Sequence, residues 1–171
     1  MSISAAAITA LVEGELSAVT DARVVNHIRS LLVAPAVVVR TWDYGEPGTK
    51  YPCWSVLEHP RSNTAIAYCE SGFGPTYPWG LVFLDGGESR MSMGMDSAWY
   101  PCFVEAYFES QASSDLPIWR VFKQIGDAPS APITAESSWE QTWERVNELR
   151  RTDTSAKYNC AHTVEYRRSE I

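Results

Sequence analysis

The chain is poor in the features that mark exported and membrane-spanning proteins. No basic residue precedes Arg23, and the longest continuous apolar run, residues 31–39, has nine residues and contains Pro35. A secretory signal needs a basic start followed by an apolar stretch, and a membrane helix needs about 20 apolar residues. The sequence therefore predicts a cytoplasmic protein without a signal peptide and without a membrane partner.

Cysteine and histidine are few and widely spaced. The chain has four Cys and three His, and it contains no Cys-x-x-Cys pair. Structural zinc is held by closely spaced ligand pairs, so we predict no metal site. His162 stands two positions after Cys160, but no glycine elbow and no orienting acid accompany this pair, so we predict no catalytic role for it. In the absence of an export signal the cysteines are predicted to be reduced core residues: Cys53, Cys69, Cys102 and Cys160.

Other catalytic signatures are missing as well. Residues 85–87, Asp-Gly-Gly, lack the Lys-Ser/Thr and the following helix of a phosphate-binding loop. The carboxylates are scattered evenly along the chain, as on a solvated surface, and no pair can be assigned to glycosidic chemistry. We therefore predict no cofactor, and a non-enzymatic role is favoured.

Positive charge is scarce. The 14 Lys and Arg stand against 21 Asp and Glu, a net charge of −7. The imbalance is uneven, because residues 1–144 hold 8 basic and 17 acidic residues whereas residues 145–171 hold 6 and 4. An acidic body repels phosphate backbones, which argues against nucleic acid as a partner and favours a basic protein. The alternative is that mild acidity only keeps the protein in solution.

The apolar periodicity predicts an α+β fold in a single domain, residues 1–171. Helical spacing in the part spanning about 3–33 predicts two helices, the second ended by Pro35. A sheet-rich part follows at about 36–94, and a mixed part at about 100–171 contains one segment, 118–123, that suits either strand or short helix. The expected architecture is an antiparallel sheet of about five to six strands, packed by the N-terminal helices and by later helices around 101–112 and 138–151. The individual strands are predicted at 36–42, 53–59, 64–70, 80–84, 88–93 and 158–166.

Aromatic residues are abundant, with seven Trp and eight Tyr. Residues 71–79 combine three aromatics with two glycines and two prolines, which predicts a stiff loop. A stiff loop binds a partner with little loss of conformational entropy. Two interpretations stay open: Phe73 and Trp79 anchor the loop from beneath, or they form a contact surface.

Tyr-Pro occurs just before an aromatic residue three times, in residues 51–54, 77–79 and 100–103. If the element ends that carry these motifs converge, they form one aromatic-lined cleft, although chance recurrence is the alternative in so aromatic a chain. Residues 42–46 place two acids among aromatics, which suits a basic side chain or an ordinary turn. The candidate binding residues are therefore Trp42, Asp43, Tyr44, Glu46, Phe73, Tyr77, Trp79, Asp96 and Tyr100.

These features favour a protein-binding module, in its most concrete form an immunity-type inhibitor of a basic toxin enzyme. An acidic surface with aromatic anchors would steer toward a basic active site and cover it. The first alternative is a small-molecule-binding domain or weakly marked enzyme with a cleft formed by the loops at 44–52, 71–79 and 95–101. The second alternative is a structural subunit of a larger assembly.

Overall fold

The computed structural model describes residues 3–42, 45–71, 73–84 and 98–168. The chain divides into two compact units, residues 1–113 with 166–171, and residues 114–165. The first is built on a five-stranded antiparallel sheet and the second on a three-stranded one. The predicted α+β class with a mainly antiparallel sheet is confirmed, and the single domain over residues 1–171 stays a prediction.

Two helices open the first unit, as the apolar spacing predicts. They are α1, Ala5–Leu16, and α2, Ala22–Leu31. Each begins at a capping side chain, since Ser4 accepts a hydrogen bond from the N–H of Ala7 and Asp21 accepts one from Arg23. Their buried faces carry the apolar residues that define the pattern: Ile8, Val12, Leu16, Val24 and Ile28. Among the described residues, every helix falls short of the length and apolarity that crossing a membrane requires.

A five-stranded sheet follows in the spatial order β1-β2-β3-β4-β5. β1 begins directly after α2, earlier than predicted, and includes Pro35. Proline is tolerated there because β1 lies at the sheet edge and its register with β2 shifts between Leu32 and Ala36. The predicted strand at 88–93 lies outside the described residues. The strands are β1, Leu32–Arg40; β2, Tyr51–His59; β3, Thr64–Tyr68; β4, Trp79–Phe83; and β5, Trp99–Tyr100.

The later helix of this unit is shorter than predicted. α3 spans Phe103–Glu109, and Pro101 precedes it instead of lying in its first turn, because Tyr100 is still paired in β5. Cys102 stands at the N-cap, and its thiol donates to the Glu105 carboxylate instead of capping the helix backbone. Glu15 of α1 replaces that cap, since its carboxylate accepts from the N–H of Val104 at 2.9 Å. The α1 helix thereby fixes the start of α3.

Cross-strand register assigns the strand side chains to the two faces of the sheet. On one face four rings are successive partners across β2 to β5, and we call them the aromatic row: Trp54, Tyr68, Trp79 and Tyr100. α3 packs on this face, with the Phe103 ring 5.2 Å from that of Trp79. The opposite face carries a cluster of mostly small buried residues, which we call the loop-face cluster: Tyr51, Cys53, Ala65, Ala67, Cys69, Val82 and Trp99.

The second unit is a small sheet with one helix. β6, Trp119–Gln124, lies between β7, Ala131–Pro132, and β8, Lys157–His162. The segment at 118–123 is therefore a strand. α4, Trp139–Thr152, begins at a serine cap, Ser138, and packs on β6 and β8 around Val146. The prediction had placed α4 on the main sheet, but strands of its own unit cover its apolar face.

Candidate functional site

The element ends that carry the three Tyr-Pro motifs meet at one end of the five-stranded sheet. β2 begins at Tyr51 and β4 at Trp79, and the antiparallel register sets Trp79 beside Tyr100. The rings nevertheless diverge. Tyr51 belongs to the loop-face cluster, whereas Tyr100 belongs to the aromatic row on the other face. The motifs thus share one end of the sheet, but their rings lie on opposite faces and do not line a single cleft.

Trp79 and Phe73 hold the 71–79 loop onto the sheet. Trp79 is 2% exposed, and its ring lies edge-on to Tyr68 at 4.9 Å. Phe73 is half-buried, stacks on Trp99 at 5.8 Å and lies edge-on to Trp42 at 4.8 Å. The contacts of Phe73 and Trp79 thus fit the interpretation in which these rings anchor the loop from beneath.

The remaining candidate residues have different environments. Trp42 is half-buried and lies edge-on to Tyr51 at 6.0 Å, so it covers the loop-face cluster. Tyr77 is 37% exposed and Glu46 is exposed, whereas Tyr100 is half-buried at the end of the aromatic row. Three candidates lie outside the described residues: Asp43, Tyr44 and Asp96.

An apolar strip at the sheet edge was not predicted from the sequence. Val37 and Val39 on β1 are 48% and 43% exposed. Their cross-strand partners on β2 are Trp54, half-buried, and Pro52, exposed. We call these four residues the edge patch. The available signal was Pro35 inside a β-branched run, because proline in a strand marks a sheet edge.

Within the described ranges, β1 is the only long strand at an edge of this sheet, since the opposite edge strand β5 has two residues. Among the described residues, β1 pairs with β2 alone. An edge strand presents unpaired backbone N–H and C=O groups along its outer side. In the described part of the chain, the edge patch therefore combines exposed apolar side chains with an outer strand side that pairs with no other strand.

Carboxylates lie near two rings of the aromatic row, Tyr68 and Tyr100. The pKa of Tyr68 is raised by burial and further by Glu70, whose carboxylate accepts from the Tyr68 hydroxyl at 3.5 Å. At the β5 end of the row, burial raises the pKa of Tyr100, and the charges of Glu109 and Glu105 raise it further. Two rings of the aromatic row thus lie near carboxylates.

A polar cleft in the second unit was also missed. It encloses about 580 Å³ and is lined by Gln124, Ser130, Arg150, Asp153, Lys157 and Asn159, among others. Asp153 is fixed there by the hydroxyl of Ser155, by the Tyr158 hydroxyl and by the N–H of Ser155 at 2.9 Å, and these bonds hold the pKa of Asp153 well below its usual range. Arg150 donates to the carbonyl oxygen of Tyr158 at 3.0 Å. The sequence feature that could have indicated this cleft is the excess of basic residues after residue 144.

Cys160 and His162, the sequence's one cysteine–histidine pair, are arranged for packing. Burial raises the pKa of Cys160 to about 11, which leaves the thiol protonated and weakly nucleophilic near neutral pH. The His162 ring lies edge-on to Trp119 at 5.6 Å, and its Nδ1 accepts from the N–H of Val164. Within the described ranges, no group of three or more His, Cys, Asp or Glu is placed to hold a metal ion.

Comparison with known proteins gives no match from which a function could be assigned. No protein-family model matches the chain, and no curated protein or solved structure matches it either.

Proposed function

We propose that the protein is a binding module for another protein and that its partner docks along β1. The observation that carries this proposal is the edge patch, where Val37 and Val39 are exposed beside Trp54 at the sheet edge. Edge strands of this kind accept an added strand, with main-chain hydrogen bonds supplying affinity and alternate side chains supplying specificity.

The composition of the edge patch suits the centre of an interface. A half-buried Trp54 gives a large rigid ring, and tryptophan is enriched among the residues that dominate binding energy. Val37 and Val39 flank that ring without any charged side chain between them. A partner that covers the edge patch removes apolar area from water at the centre of the interface, where charged residues are usually depleted.

The expected partner is basic. The first unit, residues 1–113 with 166–171, holds 8 basic and 13 acidic residues, a net charge of −5. Glu46 and Glu70 are exposed at the sheet end that also carries the aromatic row. Negative charge around an apolar contact surface accelerates association with a positive partner. The specific form that we favour is a cytosolic immunity-type inhibitor that covers the basic active site of a toxin enzyme.

A paired purification tests the proposal. The tagged protein and a Val37→Asp/Val39→Asp variant are purified in parallel from the native host after cross-linking, and bound proteins are identified by mass spectrometry. We expect one basic protein to be retained by the wild type and lost from the variant. Phe83→Asp is the matched control, because Phe83 is 48% exposed on the same sheet but belongs to β4, and it should retain the partner.

The possible outcomes separate the parts of the proposal. Equal retention by the wild type and the Val37→Asp/Val39→Asp variant would remove β1 from the interface. Absence of any retained protein would count against the binding module. The inhibitor form additionally requires that the retained partner be an enzyme whose activity falls with one equivalent of added protein.

The polar cleft of the second unit favours a second candidate function, the binding of a small polar molecule. Its volume of about 580 Å³ lies within the usual range for ligand pockets. Thermal-shift screening against polar metabolites tests it, because a ligand at about 100 times its Kd adds about 2.7 kcal/mol to stability. A hit should disappear in Lys157→Ala, and a library without hits would leave protein binding as the only supported function.

A further inference from the structure

Cys53 and Cys69 face each other across two neighbouring strands. β2 and β3 pair with Trp54 opposite Tyr68, so the next position along the ladder sets Cys53 opposite Cys69. Both are 0% exposed, and both belong to the loop-face cluster. Their side chains therefore project from the same face of the sheet into the same buried space.

The backbone hydrogen bonds identify the type of cross-strand pair. The N–H of Cys69 donates to the carbonyl oxygen of Pro78 at 2.8 Å, on the side of β4. The polar groups of Cys69 thus point away from β2, so Cys53 and Cys69 form a non-hydrogen-bonded pair, in which the Cα atoms approach to about 4.5 Å. A disulfide requires a Cα separation of roughly 4.4–6.8 Å. The backbone can accept a bond between these cysteines without rearrangement of the strands.

The two thiols are chemically unequal. A hydrogen bond between the two thiols lowers the pKa of Cys69 and raises that of Cys53, whose Sγ also donates to the carbonyl oxygen of Tyr51 at 3.6 Å. The N–H of Ser71 donates to Cys69 as well and lowers its pKa further, against the opposing effect of burial. Arg40, 2% exposed on β1, interacts electrostatically with Cys53. The lowered pKa makes Cys69 the better nucleophile of the pair.

We propose that Cys53 and Cys69 are a redox modification site, which a small hydroperoxide converts to an intramolecular disulfide between β2 and β3. Trp42 and Phe73 pack against the loop-face cluster, which favours an oxidant close to the size of water. Hydrogen peroxide reaches such sites through local opening of the covering loops. This inference is independent of the proposed partner binding.

The reaction balances with one peroxide. The Cys69 thiolate attacks a peroxide oxygen, the S–O bond forms, the O–O bond breaks, and the departing hydroxide takes a proton to leave as water. Cys53 then loses its proton and attacks the sulfur of the Cys69 sulfenic acid, so the S–S bond forms, the S–O bond breaks and a second water leaves. The two sulfurs together lose two electrons, and the peroxide gains two. A dithiol reductant reverses the modification.

Peptide mapping of the peroxide-treated protein tests the site. The reduced full-length chain is exposed to hydrogen peroxide, its remaining thiols are blocked under denaturing conditions, and its peptides are mapped by mass spectrometry. We expect a Cys53–Cys69 cross-link that dithiothreitol removes. Modification of Cys160 without that cross-link would overturn the proposal, and so would a pair that stays reduced while the protein remains folded by circular dichroism.

Single variants test the unequal roles. In Cys53→Ser, the sulfenic acid of Cys69 should persist and be trapped by dimedone. Cys102 is the matched internal control, since it is also buried, at 2% exposed, and Cys69 should be labelled at least about tenfold faster because of its thiolate character. Equal labelling of Cys69 and Cys102 would contradict the assignment. The cross-link measured in the wild type does not depend on whether this variant folds.

Discussion

The indole ring of Trp99 lies against the backbone of Gly80 on the neighbouring strand. Gly80 and Trp99 are direct cross-strand partners, and a Cβ placed on Gly80 would stand 2.5 Å from Cη2 and Cζ2 of that ring. Glycine in a strand marks such a close approach. Trp99 in turn stacks on Phe73. The absence of a side chain at Gly80 therefore makes room for the Trp99 ring, and that ring packs against Phe73 of the 71–79 loop.

We expect Gly80→Ala to destabilise the protein. The methyl group collides with a buried indole, and overpacking of this kind lowers the free energy of unfolding by about 1–3 kcal/mol. Gly14→Ala is the contrasting control, because Gly14 lies in α1 with open space around its Cα, and alanine there should raise stability by up to about 1 kcal/mol. Urea unfolding of both variants measures the difference, and equal effects would contradict the packing of Trp99.

Trp79→Ala should behave as a core truncation. Trp79 is 2% exposed between Tyr68 and Phe103, so we expect a loss of about 3–5 kcal/mol. Tyr77→Ala, two residues away and 37% exposed in the wild type, should change stability by less than about 1 kcal/mol. A stable Trp79→Ala variant that only lost partner binding would instead restore the contact-surface interpretation.

Glu15 should matter for the start of α3. Glu15→Ala leaves the N–H of Val104 without its acceptor, and we expect a loss of about 1 kcal/mol, as for other N-cap deletions. Glu15→Gln keeps an acceptor oxygen for that N–H. It also removes the charge of a carboxyl group whose pKa burial raises, so Glu15→Gln should lower stability less than Glu15→Ala. Chemical unfolding ranks the variants, and a larger loss in the glutamine variant would refute the capping role.

The stability provided by Asp153 should depend on pH. Its folded-state pKa is lowered by hydrogen bonds from Ser155 and Tyr158. An acid of this kind adds stability that is full above the unfolded-state value of about 3.9 and is lost as the pH falls through the folded-state value. Asp153→Asn should therefore melt below the wild type at neutral pH, and the gap should narrow under acid. Asp127→Asn, on an exposed loop of the same unit, should show no such gap, and a constant gap for Asp153→Asn would exclude the linkage.

Charge reversal at the sheet end should slow partner association. Glu46→Lys/Glu70→Lys replaces two exposed carboxylates and weakens steering of a basic partner, so the association rate should fall about tenfold at low salt and depend less on salt. Glu140→Lys changes an exposed charge of the second unit and serves as the control. Stopped-flow or surface-plasmon measurements with the partner found by cross-linking follow the rate. An unchanged rate would remove the sheet-end acids from the interface.

Local signals predicted most of the secondary structure. The apolar stripe through Ile8 and Val12 and the helical pattern at 138–151 each depend on neighbours within a few residues, and the structure has both helices that they indicate. Sheet membership could not be predicted in this way. Whether β6 joins the main sheet or forms a second one depends on pairing between segments far apart in sequence, which periodicity does not encode.

The candidate site was harder to predict, because exposure depends on which face of a strand a residue occupies. Trp79 and Tyr77 belong to the same motif, yet one is buried and the other exposed. Val37 was assigned to a strand from its β-branched run, but its exposure follows from the edge position of β1. The alternation of side chains along a strand assigns them to two faces, but it does not show which face other elements of the protein cover.

The irregularity in β1 limits what can be added to the sheet. Register with β2 is continuous from Ala36 to Arg40, and it is broken between Leu32 and Ala36, around Pro35. A donor strand would find a straight template only about 17 Å long. That length suits a short peptide segment and is unfavourable for end-to-end stacking of whole sheets, so the break in register around Pro35 also disfavours fibril growth.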